Sequence, residues 1–341
     1  MAVNASTSVK VGLSAIAGLA LMRSLLRRSR YMDLHGKVVF ITGGSRGLGL
    51  VLAREFATRG ARIAVCARDA QALDRVRSEL QLMGSDFLAV TCDVRVQGDV
   101  QTAVRIIQEQ LGPIDVLVNN AGTIITGPME NQSVQAFEDA MATNFWGALY
   151  ATLAVVDQMK RRRTGRIINV TSIGGKVAFP HLLPYTASKF AFVGFSEGLR
   201  AELLKDNIFV TTVCPTLMRT GSPRNANFTG QNEKEYTWFM LSDSAPGASI
   251  SAKRAARTIV RAGMYGVSEV HLGLPAKIAT FAQGVAPGLM ADLLGAVNTI
   301  LMPKPAEGKT ECRKGHESET RLTGTYLTRL TRVAEAANNQ L

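Results

Sequence analysis

A tyrosine and a lysine four residues apart are the first side chains in this sequence whose types and spacing suggest chemistry. Tyr185 and Lys189 lie in a helical pattern, so both project from one face of the helix and can reach one ligand. A pair with this spacing is common by chance. Ser172 gives it weight, because it closes an apolar strand thirteen residues before Tyr185, at a sheet edge where ligands bind. The three residues suggest a site that holds a polar atom and moves a proton.

A glycine-rich loop, "VVFITGGSRGLGL" at residues 38–50, is the second candidate. It leaves the first strand and opens the first helix, so its N–H groups and the helix N-terminus would face an anion. A nucleoside triphosphate loop would need Lys and then Ser or Thr after Gly49, but Leu50 and Val51 follow. The spacing also differs from the GxGxxG fingerprint of many dinucleotide folds. The loop alone therefore leaves a dinucleotide site open without deciding it.

The end of the second strand bears on which dinucleotide would bind. Folds that select NAD place Asp or Glu about 20 residues beyond the loop, whereas an arginine accommodates the 2′-phosphate of NADP. Here Ala67 ends the strand and Arg68 follows it, while Arg46 lies inside the loop. We predict that Arg46 and Arg68 converge on one phosphate through charge-assisted contacts. Asp69 is predicted to cap the next helix.

Short apolar segments rich in Val and Ile alternate with amphipathic segments along the chain. Seven are predicted to be strands buried on both faces: residues 37–42, 62–67, 87–94, 114–120, 166–172, 208–215 and 268–273. Intervening segments such as 50–60 and 70–84 have apolar residues three and four apart, which predicts helices. The alternation predicts an α/β fold, a single Rossmann-type doubly wound parallel sheet of about seven strands with helices on both faces.

These motifs occur together and in a known order. "TGGSRGLG" at 42–49, "NNAG" at 119–122, Asn144 in "ATNFWG", Ser172 and "YTASK" at 185–189 resemble the short-chain dehydrogenase/reductase superfamily, over roughly residues 35–275. The resemblance implies a sheet that holds NAD(H) or NADP(H) and a catalytic tetrad of Asn144, Ser172, Tyr185 and Lys189. The cofactor-binding residues that it implies, together with the two arginines, are Gly43, Ser45, Arg46, Gly47, Leu48, Gly49, Arg68, Asp93, Val94, Asn120, Ala121, Gly122, Tyr185, Lys189 and Thr220. With the arginines, NADP(H) is the expected cofactor, and no metal is expected.

The chemistry of such a tetrad follows from the residue types. Carbonyl reduction needs a hydride from the nicotinamide and a proton for the forming alkoxide, which Tyr185 would supply. A free tyrosine has a pKa of about 10, and we expect Lys189 and the cationic nicotinamide to lower it. Ser172 would donate to the same oxygen. By resemblance, Lys189 also holds the ribose, and Asn144 anchors a water that reprotonates the tyrosine.

Two segments need separate interpretation. Thr216 stands where the family commonly has glycine after the sixth strand, so that loop is expected to be stiffer or differently turned, which bears on Thr220. Residues 221–247 are predicted to form a substrate lid. The segment "YTWFM" at 236–240 in this lid indicates an apolar substrate or, alternatively, packing beneath the lid.

Composition restricts the class of protein. The chain has 341 residues and a formal net charge of +12, but much of the excess lies in two local clusters, residues 23–30 and 160–166. The second cluster is interpreted as a helix end and turn, and no aromatic residue is interleaved with it, so no nucleic-acid partner is expected. Cys66, Cys92 and Cys214 lie in or beside apolar strands, which predicts buried thiols in a reducing compartment rather than a zinc or disulfide framework.

We divide the chain into an apolar and basic segment (1–34), the catalytic domain (35–275), an apolar helical extension (276–302) and a polar tail (303–341). The apolar run 11–22 is shorter than the ~20 residues that span a bilayer, so a membrane-associated helix and a helix folded onto protein both stay open. If it inserts, the arginines after it would hold the enzyme on the cytoplasmic side; a cytoplasmic location is expected. The tail is predicted to be flexible as far as residue 325, with a short helix after it.

Seven apolar residues beyond the last strand form a helical stripe. Core or dimer packing is the expected role, with membrane contact or pocket lining as alternatives, for Leu289, Met290, Leu293, Leu294, Val297, Ile300 and Leu301.

We therefore expect an NADPH-dependent oxidoreductase that reduces a ketone or aldehyde of an apolar, lipid-derived substrate. A homo-oligomer is expected, and peripheral membrane contact is an alternative for the ends. Within the enzyme class, a hydroxysteroid- or retinol-type alcohol dehydrogenase and a 3-oxoacyl reductase are the alternatives. Outside it, the alternative is a catalytically silent NADP(H)-binding sensor or scaffold, against which the complete tetrad argues.

Overall fold

The computed structural model describes residues 22, 28–82, 84–245 and 247–341, so the predicted apolar run 11–22, apart from Met22, lies outside the described residues. The strands are β1 (Val38–Thr42), β2 (Arg62–Ala67), β3 (Phe87–Thr91), β4 (Ile114–Asn119), β5 (Ile125–Thr126), β6 (Gly165–Val170), β7 (Ile208–Pro215), β8 (Leu217–Arg219), β9 (Asn227–Phe228), β10 (Ser249–Ser251), β11 (Glu269–Leu272) and β12 (Arg313–Lys314). The α-helices are α1 (Gly47–Ala57), α2 (Ala70–Leu82), α3 (Gln97–Leu111), α4 (Val134–Met141), α5 (Gly147–Arg162), α6 (Leu183–Leu203), α7 (Asn232–Ser244), α8 (Ala252–Met264), α9 (Leu274–Val285), α10 (Pro287–Leu301) and α11 (Arg329–Ala337). A π-helical turn, Ala142–Trp146, joins α4 to α5, and short 3-10 turns are found at Met129–Asn131, Ile173–Gly175, Leu204–Asp206, Ser222–Asn225, Gly315–Glu317, Leu322–Gly324 and Tyr326–Thr328.

The central sheet confirms the predicted fold class. Among the described residues it has seven strands in the order β3-β2-β1-β4-β6-β7-β11, and every neighbouring pair is parallel. All seven predicted segments are strands of this sheet. The predictions for residues 62–67 and 208–215 agree with β2 and β7 residue for residue.

Both faces of this sheet are covered. Side chains alternate across β1, so that Val39 and Ile41 pack in a cluster with α1 and α8, whereas Val38 and Phe40 pack in a cluster with α3 and α5. Two separate apolar layers explain why the strands are continuous apolar runs rather than alternating ones. The sheet is therefore doubly wound, and its carboxyl edge is the surface that remains for a ligand.

The basic cluster at the end of α5 is a helix end, as predicted. Lys160, Arg161 and Arg162 lie in the last turn of α5, and Arg162 pairs with Asp115 at 2.8 Å. Arg166 is buried inside the fold and donates to the carbonyl of Gly263 at 3.0 Å. Burial lowers the pKa of Arg166 to about 10. These cations serve packing between elements of the chain.

The apolar extension differs from its predicted core role. Helices α9 and α10 contact each other, but α10 has no buried residue, and Leu289 and Ile300 are 72% and 76% exposed. The prediction that this stripe packs in the core of the chain is wrong, while dimer and membrane contact stay predictions. Among the described residues, no helix combines the length and apolarity that crossing a bilayer requires.

The polar tail is folded, which corrects the prediction that it is flexible as far as residue 325. β12 pairs with β9 of the predicted lid, Ser318 and Thr323 are buried, and Thr320 donates its N–H to Thr323 Oγ1 at 2.8 Å. The predicted short helix is present as α11. The tail is stabilised mainly by polar contacts with distant parts of the chain, which its composition does not reveal.

The turn from β1 to α1 contains a very close backbone contact, and it gives a test of the packing. A Cβ at Gly49 would lie 2.1 Å from the carbonyl oxygen of Gly43, so Gly49→Ala forces backbone apart. We expect the free energy of unfolding to fall by about 1–3 kcal/mol, measured by urea denaturation. Gly194→Ala is the control, because a Cβ there meets nothing within 4 Å. Replacing this helical glycine with alanine should raise the free energy of unfolding by about 0.5–1 kcal/mol. Equal stability of Gly49→Ala and the wild type would contradict this packing.

Candidate active site

The carboxyl ends of three neighbouring strands bring the predicted site residues together. The glycine loop follows β1, the segment 119–122 includes the end of β4 and the residues after it, and Ser172 follows β6 as the N-cap of the 3-10 turn Ile173–Gly175. Because these strands are adjacent and parallel, their ends share one edge of the sheet. Tyr185 and Lys189 lie in the first two turns of α6, which packs against that edge.

The glycine loop and the end of β4 are joined by backbone and side-chain hydrogen bonds. Thr42 Oγ1 accepts the N–H groups of Asn120 at 3.0 Å and Ala121 at 3.1 Å. The amide of Asn120 returns two hydrogen bonds, to the carbonyls of Thr42 and Gly43, both at 3.1 Å. Gly43 has a left-handed φ of 66°, and a Cβ there would lie 2.9 Å from Ala121 Cα. The loop is therefore held against "NNAG", with glycine required at its closest approach.

Asn144 is buried at the centre of the site. It lies in the π-helical turn between α4 and α5, a distortion that is frequent at functional sites. Its amide donates to the carbonyl of Thr123 at 3.0 Å and to Ser188 Oγ at 2.9 Å, and its Oδ1 accepts the N–H of Thr123 at 2.8 Å. Asn144 therefore ties the segment after "NNAG" to α6, one residue before Lys189.

Burial moves the pKa values of the tyrosine and lysine in opposite directions. It raises the pKa of Tyr185 to about 12, against which a hydrogen bond with Ser172 acts. It lowers the pKa of Lys189 to about 8, because a buried ammonium loses hydration. The Lys189 Nζ donates to the carbonyl of Val170 at 3.2 Å and lies 5.7 Å from the centre of the Tyr185 ring. In the protein without cofactor the pKa of Tyr185 is therefore raised, and its lowering by Lys189 together with the cationic nicotinamide stays a prediction.

The two predicted arginines lie at the other end of the edge. The Arg46 Nη1 donates to Asn225 Oδ1 at 3.3 Å, and Arg68 acts electrostatically on Asp93, whose pKa is lowered chiefly by its hydrogen bond with Arg95. In the described part of the chain neither Arg46 nor Arg68 has a carboxylate partner within 4.0 Å. Asp69 caps α2 as predicted, accepting the N–H of Ala72 at 3.0 Å.

The start of α1 retains anion-binding groups. Gly47 donates its N–H to the carbonyl of Asn338 at 2.8 Å. Within the described residues, the N–H groups of Leu48 and Gly49 donate no hydrogen bond to a protein acceptor. Free N–H groups at a helix N-terminus attract a phosphate. Arg46 and Arg68, which have no carboxylate partner among the described residues, add positive charge, so the residues present fit a dinucleotide.

Sequence reasoning missed that residues 338–340 contact this site. The amide of Asn339 donates to the carbonyl of Ser45 at 2.7 Å, and the amide of Gln340 donates to the carbonyl of Thr220 at 3.3 Å. Thr220 is thus buried between the glycine loop and the tail. The only local signal is the Asn-Asn pair after α11, which is typical of a helix end but does not say what the end contacts.

The predicted lid begins with a 3-10 turn and ends in α7. Tyr236 and Met240 of the segment "YTWFM" pack with Ala226 and Phe228 in a small separate core, which supports packing beneath the lid for these two side chains. His181, which lies between Ser172 and Tyr185 in the chain, pairs with Glu235 of α7 at 2.7 Å. Thr216 donates its hydroxyl to the carbonyl of Ala248 at 3.2 Å, which fixes the loop where the family commonly has glycine.

Residues 37–229 match the family model of the short chain dehydrogenases. The chain belongs to this family. A dehydrogenase/reductase SDR family member 7B of Bos taurus is 31% identical over 299 residues, which are 85% of this chain and 90% of that protein. A 3-ketodihydrosphingosine reductase of Mus musculus is 37% identical over 209 residues, 60% of this chain and 63% of that protein. A crystal structure of actinorhodin polyketide ketoreductase with NADPH has a TM-score of 0.61 at 31% identity, covering 70% of this chain and 95% of that one.

Membership in the short-chain dehydrogenase family explains what the carboxyl edge of the sheet binds. The fold binds a nicotinamide cofactor, and the chain is an oxidoreductase that acts on C=O or CH–OH groups. Ser172, Tyr185 and Lys189, found first from their spacing, are brought together by the fold of this short-chain dehydrogenase. Which nicotinamide cofactor and which substrate it uses are separate questions.

The buried cation of Lys189 makes a prediction about stability and pH. Its pKa of about 8 in the folded protein lies below the ordinary 10.5, so holding the proton at pH 7 costs the fold on the order of 3 kcal/mol. The unfolded chain binds more protons between these values, so wild-type stability rises as pH rises through that window. We expect Lys189→Met, which also loses the contact with Val170, to be more stable than the wild type by about 1–3 kcal/mol at pH 7.

The gain in stability of Lys189→Met over the wild type should be smaller at pH 10 than at pH 7, measured by urea denaturation without cofactor. Lys205→Met, at an exposed position, is the control and should not show this change between the two pH values. A Lys189→Met variant less stable than the wild type at pH 7 would contradict the account of Lys189 as a strained buried cation.

Proposed function

We propose that this protein is an NADPH-dependent reductase of ketones or aldehydes carried on apolar, lipid-derived molecules. The observation that carries the proposal is that half-buried Tyr185 and buried Lys189 of α6 lie beside buried Ser172, which follows β6. That arrangement provides a proton donor, a hydroxyl that orients it and a cation in one desolvated place. When bound, the nicotinamide of NADPH supplies the hydride for the carbonyl carbon.

The proton is supplied by Tyr185. With a pKa raised to about 12, its phenol is protonated throughout the physiological range and can donate to the oxygen of the reduced carbonyl. A protonated phenol suits reduction, whereas oxidation of an alcohol would need the phenolate as a base. Lys189, with a pKa of about 8, is still mostly cationic at pH 7. Its charge stabilises the phenolate that remains after donation.

The tyrosine must then be reprotonated. The contacts of Asn144 restrict the part that this asparagine can take in that step. Both amide hydrogens are used, by Thr123 and Ser188. A water held by Asn144 therefore donates to an oxygen of this residue rather than accepting from its side chain. Such a water is oriented with its other hydrogen available to the proton path.

Cofactor selection rests on the cations at the adenosine end. Arg46 and Arg68 are long side chains without carboxylate partners among the described residues, and an arginine after β2 accommodates a 2′-phosphate. The Leu48 and Gly49 N–H groups would hold the pyrophosphate. Asp93, Val94, Asn120, Ala121 and Gly122 would border the adenosine and the ribose that follows.

An apolar substrate is supported by the surroundings of Ser172 and by relatives. Helix α9 packs against the turn Ile173–Gly175 and exposes Leu274, Ile278 and Phe281, so an apolar surface lies beside the turn of the catalytic serine. The names of two similar proteins, a 3-ketodihydrosphingosine reductase and a polyketide ketoreductase, denote ketones on long carbon chains. We infer a substrate of the same chemical class.

Loss of NADPH absorbance with a panel of ketones tests the proposed reaction. We expect turnover with long-chain 3-ketoacyl thioesters or ketosphingoid bases. Removing the Ser172 donor in Ser172→Ala should lower kcat about 10²- to 10³-fold with little change in the NADPH Kd, because its partner is Tyr185. Turnover retained at the wild-type rate in Ser172→Ala would contradict the assigned site. Tight NADPH binding with no turnover of any ketone would instead favour the silent binder.

The arginines are tested by binding rather than by activity. Arg46→Ala and Arg68→Ala should each raise the Kd for NADPH about 10- to 100-fold, since each removes a charge-assisted contact worth ~1.5–3 kcal/mol. The Kd for NADH should change less than threefold. Calorimetric titration with both dinucleotides is the measurement, and an equal loss for the two would show that the arginines do not bind the 2′-phosphate.

A further inference from the structure

The polar tail carries a lysine to the side of the cofactor site. Lys314 lies in β12, directly opposite Asn227 of β9, and its Nζ donates to Asn227 Oδ1 at 2.7 Å. Two residues earlier in the same lid segment, Asn225 accepts from Arg46. Two cations from distant parts of the chain are thus held by neighbouring amides of one segment.

The fold fixes this lysine firmly. β9 pairs with β5 as well as with β12, and β5 follows the "NNAG" segment closely in the chain. A Cβ at Gly315 would lie 2.1 Å from the carbonyl oxygen of Pro223, so the tail approaches the lid as closely as backbone allows. The position of Lys314 is therefore set by backbone contacts on both sides, not by a free side chain reaching across.

Arg68 completes a group of three cations. Lys314 is exposed, and its pKa is lowered first by partial desolvation and then by the charges of Arg68 and Arg46, against Cys312 and Glu317, which raise it. The carboxylate of Glu317 accepts the backbone N–H of Lys314 at 2.7 Å rather than its ammonium. In the described part of the chain, no carboxylate lies within 4.0 Å of the charged groups of Arg46, Arg68 or Lys314. Like charges that act on one another, with no acid beside them among the described residues, are unfavourable unless an anion joins them.

We propose that Lys314 is a third cationic ligand of the 2′-phosphate of NADP(H), and that the tail forms the outer wall of the cofactor site. This inference rests on the proposed use of NADP(H). A dianionic phosphate with three oxygens matches three cations, so Lys314 adds to the preference for NADPH over NADH.

A second contact of the tail supports its role as a wall. α11 ends with Asn339 in the left-handed region, at a φ of 55°, and Gln340 donates its N–H to the carbonyl of Glu335 at 3.0 Å. This helix end is a Schellman turn, and it directs the Asn338 carbonyl to Gly47. The tail accepts the N–H of Gly47 but not the N–H groups of Leu48 and Gly49. It therefore lies beside the glycine loop and leaves available the N–H groups that would bind the pyrophosphate.

Lys314→Met tests the third cation without relying on turnover. We expect the Kd for NADPH to rise about 10- to 100-fold and the Kd for NADH to change less than threefold, by calorimetric titration. Lys314→Arg keeps the charge and should keep most of the preference. Lys309→Met, an exposed lysine of the same tail, should change neither Kd, and circular dichroism checks that each variant is folded.

The outcomes separate this inference from the proposed function. A wild type that binds NADPH and NADH equally overturns the use of NADP(H), and the role of Lys314 with it. A wild type that prefers NADPH, with a preference unchanged in Lys314→Met, overturns only the role of Lys314. An equal loss for both dinucleotides also overturns it, because the lysine would then act on a group that they share.

Hydrogen exchange of the full chain tests the wall directly. NADPH should slow exchange of the amides in residues 334–340, and deletion of residues 338–341 should speed NADPH dissociation, measured by stopped-flow fluorescence. The opposite pair of results, faster exchange of these amides with NADPH and tighter binding after the deletion, would show that the tail competes with the cofactor, and would overturn its role as a wall.

Discussion

The structure depends on one close approach of backbone, between the glycine loop after β1 and the segment after β4. Thr42 and Asn120 join the two segments by reciprocal hydrogen bonds, and Gly43 and Gly49 are needed because a Cβ at either would meet backbone. This contact fixes the start of α1 relative to the sheet edge. The N–H groups of that helix and the residues after β6 are thereby placed along one cleft, which is what a dinucleotide and its substrate require.

Within the cleft, burial shifts the pKa values of both the tyrosine and the lysine. Desolvation keeps Tyr185 protonated and makes the Lys189 ammonium easier to neutralise, so the resting site is a proton donor beside a weakly held cation. Asn144 fixes α6 by using its whole amide on protein partners. The site therefore holds a protonated phenol before a cofactor enters, and the buried Lys189 cation destabilises the fold.

The sequence predicts the sheet and the site better than it predicts the periphery, and the reason is physical. Strands such as β2 and β7 are buried on both faces, so their apolar runs define them to the residue, and the glycines and the tyrosine–lysine pair are tied to local geometry. The tail has no such signature. Its contacts are hydrogen bonds from polar residues such as Asn339 and Lys314 to segments about 90 to 290 residues away, which neither periodicity nor composition records. The core role predicted for helix α10 is wrong for the opposite reason, because an apolar stripe indicates burial without saying what covers it.

The central claim is that Ser172, Tyr185 and Lys189 reduce a ketone with hydride taken from NADPH. The most direct measurement is a single turnover with NADPH deuterated at both C4 positions and a long-chain ketone, with the product analysed by mass spectrometry. The account predicts that the wild type forms an alcohol that carries one deuterium and that Tyr185→Phe forms no alcohol. An unlabelled alcohol, or the same yield of labelled alcohol from the Tyr185→Phe variant, would contradict it.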